Sequence, residues 1–111
     1  MYTITSPRDV DRLFREGVRA ARHSIVVLSA SANGSRDLNE GRVNFVAGKK
    51  LGGAVLRNRC KRVLRAACRR NGGPWSGYDV ALIARATTAV TDPAKLDADL
   101  LSALRQLKVI T

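Results

Sequence analysis

The stretch of this chain best suited to chemistry is Lys49-Lys50-Leu51-Gly52-Gly53-Ala54-Val55-Leu56-Arg57-Asn58-Arg59-Cys60-Lys61-Arg62-Val63-Leu64-Arg65. It reads as a strand that ends in two lysines, turns through two glycines and enters a helix spanning about Gly53 to Arg70. The start of a helix attracts phosphate, because its unpaired N–H groups and aligned peptide dipoles converge there. Arg57, Lys61, Arg65 and Arg69 recur every four residues along one side of that helix, and Asn58 and Arg62 lie on the same side. Arg59 flanks the apolar arc of Leu56, Cys60, Val63, Leu64 and Ala67 from the other side. A guanidinium fork grips phosphate oxygens in pairs and stacks on bases, whereas an ammonium is a point charge. Fifteen arginines against five lysines therefore favour a structured nucleic acid over loose membrane attraction.

Other chemistries find little support. Cys60 and Cys68 on one helix would stand about 12 Å apart along its axis, too far to bridge, and their apolar neighbours mark them as small hydrophobes. With His23 they make no convincing zinc set, and His23 has no nucleophile pattern near it. No two acids are spaced for general acid–base work, and Asp79 beside Arg85 is no carboxylate pair. The expectation is a chain without catalytic residues and without a metal site of its own.

The charge balance agrees. Lysine and arginine number 20 against 9 acids in 111 residues, a net charge of +11 that calls for a polyanionic partner. Between Gly41 and Tyr78 lie ten cations and no acid: Arg42, Lys49, Lys50, Arg57, Arg59, Lys61, Arg62, Arg65, Arg69 and Arg70. No apolar run approaches the roughly 18 residues of a membrane span. The first thirty residues carry arginines on both sides of their one apolar run, which is not the order of a signal peptide. A cytoplasmic protein with no membrane contact is expected.

Around that helix the elements fall into place. Ser6-Pro7-Arg8-Asp9 opens a first helix with Val10, Leu13, Phe14 and Val18 on one face and Gly17 near its end. Ser24–Ala30 is a β-branched strand, 32–41 a turn-rich hairpin loop, and 42–48 an alternating strand with Val43, Phe45 and Ala47 on one side and Asn44, Val46 and Gly48 on the other. The glycine-rich run at 71–77 breaks the central helix, 78–85 is a further strand, and Asp92-Pro93 opens a last helix with Leu96, Leu100, Leu104 and Leu107 inside. Three strands are thus assigned to residues, in an order read as α-β-β-β-α-β-α. The class is α+β in a single domain over residues 1–111. Its size is taken to exclude three or four layers, leaving one small sheet with helices packed on it. The strand 42–48, helix, strand 78–85 unit should pair in parallel.

The run GKKLGGAVLRNRCKRVLR at 48–65 resembles the hallmark of the protein component of bacterial ribonuclease P: lysine pair, glycine turn, Ala-Val, then Arg-Asn-Arg-x-Lys-Arg. DVDRLFREG, GYDVALIAR and the leucine-rich last helix extend the resemblance over nearly the whole chain. It implies a ribosomal-protein-like fold with a left-handed β-α-β crossover. It implies a subunit of the ribonucleoprotein endonuclease that removes the 5′ leader of precursor tRNA, with hydrolysis carried by the RNA subunit and its Mg2+ ions. One protein would join one catalytic RNA. The resemblance assigns Arg57, Asn58, Arg59, Lys61 and Arg62 to RNA contact, and the same basic rows extend this to Arg65 and Arg69. It assigns Phe14, Lys49, Lys50, Ala54, Val46 and Gly48 to a leader cleft. Val10 stands where the family has phenylalanine, Leu28 where an aromatic is frequent, and Val46 and Gly48 where it has serines, so stacking platforms and hydroxyls are fewer here.

Two other functions share parts of this pattern. A structural RNA binder of ribosomal type would carry the same charges, and a DNA-binding module would place the basic helix in a major groove. Against the second, Asn58 is the helix's one amide suited to reading base edges. Phe14 suits the core as well as a cleft. Trp75 in its Gly-Pro loop and Tyr78 at a strand start suit packing, and Lys95, Arg105 and Lys108 suit a solvated face.

Overall fold

Helix α1 (Pro7–Glu16) begins at Pro7, whose missing N–H costs nothing at the first helical position, and carries Asp9 in its first turn. Ser6 precedes it without a side-chain capping bond. In the computed structural model, which describes residues 3–4, 6–32 and 40–111, the chain continues through β1 (Val18–Ala21), β2 (Ile25–Ser31), β3 (Arg42–Val46), α2 (Ala54–Arg70), β4 (Tyr78–Ala84) and α3 (Pro93–Gln106), with short 3-10 turns at Lys49–Leu51 and Thr88–Val90. The expected order α-β-β-β-α-β-α is the order found. The hairpin-loop expectation for 32–41 falls mostly on residues 33–39, outside the described ones.

The four strands form one sheet in the order β1-β2-β4-β3. β1 with β2 and β2 with β4 run antiparallel, and β3 with β4 runs parallel across the α2 connection, as the sequence led one to expect. α2 and α3 cover one face, where Leu64, Leu96, Leu100 and Leu104 meet Val27, Val43, Val80 and Leu82. α1 lies on the other face, with Leu13 against Leu28 and Ala81, joined by Ile4. Helices therefore sit on both faces, in three layers. The size argument against three layers fails because the third layer is one ten-residue helix that needs little apolar surface.

Several boundaries shift. The strand expected over 42–48 ends at Val46. Leu56, placed in the apolar arc, is 39% exposed because the first turn of α2 stands clear of the core, and Val63 is half-buried. Cys68 joins Cys60, Leu64 and Ala67 inside instead. Leu107 lies just past α3, half-buried. No sequence signal marks strand β1, since VRAA holds one inward side chain, Ala20, and pairs because β2 offers an edge. Trp75 is buried and donates from its ring N–H to the Asn71 carbonyl at 3.2 Å, which settles its packing role. Gly41 passes so close to Trp75 that a Cβ there would run into its backbone.

Candidate nucleic-acid interface

The α2 surface is built by the burial of one arc. With Leu64 facing the core, helical geometry sends Lys61 and Arg65 to the flank over β3 and Val63, Ala66 and Arg70 to the flank over α3. The Arg65 guanidinium lies 5.3 Å from the centre of the Phe45 ring. This cation–π contact closes one side of a shallow cavity of about 150 Å³ lined also by Thr3, Asn44 and Lys61. Asn58, Arg59, Arg62 and Arg69 are exposed on the outer surface. Arg57 is half-buried, and its Nε is enclosed without a hydrogen-bond acceptor among the described residues. Sequence spacing puts Arg57 in the same row as Lys61, Arg65 and Arg69, and within that row Arg57 and Lys61 are half-buried while Arg65 and Arg69 are exposed.

At the entry to α2, Lys49 and Lys50 are exposed on the 3-10 turn. Gly52 takes φ +140°, a backbone region open to glycine, which lets the turn reverse into the helix. Gly53 caps α2 without a side chain, so the amides of Ala54 and its neighbours face outward unblocked. The sequence motif thus becomes a place where phosphate oxygens meet backbone donors and two ammonium groups.

The other sheet face carries the cleft side chains. Arg12 and Phe14 flank the buried Leu13, each about 100° around the α1 axis. Arg12 reaches Ser31 O and Asp79, so Phe14 faces the opposite end of the sheet, where Val46, Ile83 and Val26 stand in register on β3, β4 and β2. Phe14 is 45% exposed, which removes the core reading. Val46 is half-buried and Gly48 exposed. The structure therefore brings Phe14 and Val46 to one open end of the sheet, with Gly48, Lys49 and Lys50 on the chain leaving it and Ala54 at the helix beyond.

Two of the ten central cations are spoken for. Arg42 forks onto Asp79, Nε to Oδ1 at 3.1 Å and NH2 to Oδ2 at 2.9 Å, and reaches Asp9 at 2.9 Å. Burial works against its charge, but the hydrogen bonds to Asp79 and Asp9 outweigh this and raise its pKa. Arg70 pairs with Asp97 at 2.8 Å, which raises the arginine's pKa and lowers the carboxyl's. The other eight have no ion pair among the described residues. An acid-free stretch in sequence is not acid-free in space: α1 and β4 bring Asp9 and Asp79 to Arg42, and α3 brings Asp97 to Arg70.

Among the described residues no three His, Cys, Asp or Glu side chains could hold a metal ion. Both cysteines are free and buried, and burial pushes the Cys68 thiol up to about 11 against a smaller opposing effect of Arg69, which leaves it a poor nucleophile. Sequence reasoning missed the Phe45–Arg65 contact and the N-terminal segment, where Ile4 N–H donates to Val43 O at 2.9 Å along the outer edge of β3. Arg65 stood in a marked basic row, but nothing local linked it to Phe45. No helix among the described residues is long and apolar enough to cross a membrane.

A three-layer α+β domain with an unneutralised basic helix beside an open, partly aromatic sheet end is a nucleic-acid-binding architecture. The family model for Ribonuclease P matches residues 1–108, and the chain belongs to that family. A ribonuclease P protein component of Dehalococcoides mccartyi is 41% identical over 73 residues, 66% of this chain and 58% of that protein's length. One from Streptococcus mutans is 32% identical over 108 residues, covering 97% of this chain and 87% of that one. The solved structure of the Staphylococcus aureus RNase P protein superposes with a TM-score of 0.81 at 28% identity, over 100% of this chain and 99% of that one.

Proposed function

We propose that this chain is the protein subunit of a ribonuclease P ribonucleoprotein, the endoribonuclease that removes 5′ leaders from precursor tRNA. α2 binds the catalytic RNA through Arg57, Asn58, Arg59, Lys61, Arg62, Arg65 and Arg69. The cleft of Phe14, Val46, Gly48, Lys49, Lys50 and Ala54 holds the leader. Hydrolysis is carried by the RNA subunit with Mg2+, so the protein's part is to bind and position. It acts as one copy per RNA in the bacterial cytoplasm.

The observation that carries this reading is the cluster of eight cations left unneutralised around α2, next to a sheet end that exposes Phe14. Phosphates crowd when two RNAs meet, and fixed cations relieve that repulsion without free metal ions. The enclosed Arg57 Nε supports it, since a buried donor without a partner costs about 1–3 kcal/mol that a phosphate oxygen would recover. Family membership stands against a ribosomal role with the same charge pattern.

Reconstitution tests it. The protein stripped of RNA should leave precursor tRNA intact, and added to the RNA subunit at low magnesium it should restore cleavage. Cleavage by the protein alone, or no gain at low magnesium, would sink the proposal, and co-purification with ribosomal RNA would point to the ribosomal reading instead.

A further inference from the structure

The open sheet end beside Phe14 extends to the far edge of the sheet. Arg19 on β1 stands opposite Leu28 on β2, and Leu28 stands opposite Ala81 on β4. Leu28 and Ala81 pack under Leu13 of α1, so Arg19 projects from the face that α1 and Phe14 occupy. It is exposed, and its guanidinium has no hydrogen bond or ion pair among the described residues.

Its neighbours are committed. Arg22 donates to Ser102 Oγ at 3.1 Å, to Gln106 Oε1 at 2.7 Å and to Ala21 O at 2.9 Å. Arg12 is paired with Glu16 at 2.9 Å, which keeps the acid nearest in sequence on the opposite flank of α1. The groove floor of half-buried Val46 and Ile83, with Val26 buried beside them, is aliphatic, so beyond the Phe14 ring it presents contact surface without a stacking platform. In register, Ala21 of β1 closes the floor row opposite Val26, and Arg19 stands two residues, about 7 Å, along β1 in the Leu28–Ala81 row, while Lys49 and Lys50 lead out of β3 on the other side.

We propose that Arg19 holds a backbone phosphate of the 5′ leader after the strand has passed Phe14. This rests on the leader reading above. Three inter-strand steps of about 4.8 Å separate β3 from β1, and Arg19 lies about 7 Å further along the strands from the floor row, so a leader must be several nucleotides long to pass Phe14 and reach it. Lys49 and Lys50 adjoin α2, the side given to the catalytic RNA, so the leader enters there and reaches Arg19 last. Short leaders never reach it.

The test measures binding of the holoenzyme to precursors with leaders of about two and about eight nucleotides over a salt series, for the unaltered chain, Arg19→Ala and Arg19→Lys. Arg19→Ala should weaken long-leader binding about five-fold and lower its log–log salt slope by about 0.7, one phosphate's share, while short-leader binding changes less than about two-fold. Arg19→Lys should keep the slope and lose part of the affinity, because the ammonium lacks the fork. Equal weakening on both leaders would assign Arg19 to the RNA subunit and overturn the proposal, as would a long-leader affinity indifferent to Arg19→Ala. If the unaltered holoenzyme itself treats both leaders alike, the leader reading falls and takes this inference with it. If it favours the long leader and Arg19→Ala does so equally, this inference alone falls.

Discussion

Asp79 on β4 and Arg42 on β3 stand side by side in the parallel register and join through two hydrogen bonds of 2.9 and 3.1 Å, with the carboxylate 1% exposed. Arg42 also reaches Asp9 of α1, and Arg12 of α1 approaches Asp79 at 3.5 Å. The pair therefore fixes one flank of α1 to the sheet, and through the roll of that helix it fixes where Phe14 points. Such a pair gains little over apolar packing, but breaking it strands a buried charge. Asp79→Ala should cost about 3 kcal/mol, read as a lower urea midpoint at an unchanged denaturant slope. A loss near zero would mean that solvent reaches the site.

On α2, stability and binding should separate by helix face. Replacing Arg57, Arg59 and Lys61 with alanine should leave the urea midpoint nearly unchanged, since none has an ion pair among the described residues and Arg57 strands no acceptor when removed. The same variant should lower the salt slope for the RNA subunit by about 2–3, at about 0.7–0.9 per phosphate. Leu64→Asp should do the reverse and unfold the domain, because Leu64 is fully buried and the charge would have no partner. Val63, half-buried at the edge of the arc, is the weaker site for that test. RNA affinity untouched by the triple substitution would make the row a solvated face.

What could be read in the sequence depended on how local the signal was. The α2 motif declares itself through spacing, since lysine pair, glycine turn and four-residue basic repeat all lie within one connection and one helix. Leu96, Leu100 and Leu104 declare α3 the same way. β1 leaves no comparable trace, because its pairing is supplied by β2 and its four residues carry no alternation of apolar and polar. Arg42 counts among the ten cations of the acid-free stretch, and its pairing leaves no trace in the sequence because its partners lie 33 and 37 residues away. The orientation of Phe14 was ambiguous for a related reason: helical periodicity places it beside Leu13, and only the anchoring of Arg12 says which way the flank turns.

Asp97 gives a pH signature. The hydrogen bond from Arg70 lowers its pKa against the opposing effect of burial, with a further hydrogen bond from Asn71. A carboxyl whose folded pKa lies below its unfolded value stabilises the fold fully above the ordinary value near 3.8, and the contribution is lost as the pH falls through the folded value. The unaltered chain should therefore exceed Asp97→Asn in melting temperature at neutral pH, and the two should converge in strong acid. The gap should be small, since both partners are partly solvated. A constant gap down to strong acid would exclude the ion pair as its source.

Phe14 offers the sharpest separation between a folding residue and a ligand residue. Its ring is 45% exposed on α1 while Leu13 beside it is fully buried, so Phe14→Ala should barely move the urea midpoint. If the ring stacks on a leader base, the contact is worth about 1–3 kcal/mol, and the variant should bind leader-bearing precursor about ten-fold more weakly. Mature tRNA has no leader to stack, and its binding should change little. The comparison requires both RNAs, one holoenzyme preparation and a circular dichroism spectrum showing the variant folded. Restoring a flat ring with Phe14→Tyr should return most of the affinity, whereas Phe14→Leu should return little, since an aliphatic side chain keeps the apolar area and loses the π-face. Equal losses on precursor and mature tRNA would remove Phe14 from the leader site and make it a contact to the RNA subunit, and full recovery by leucine would reduce its role to apolar contact.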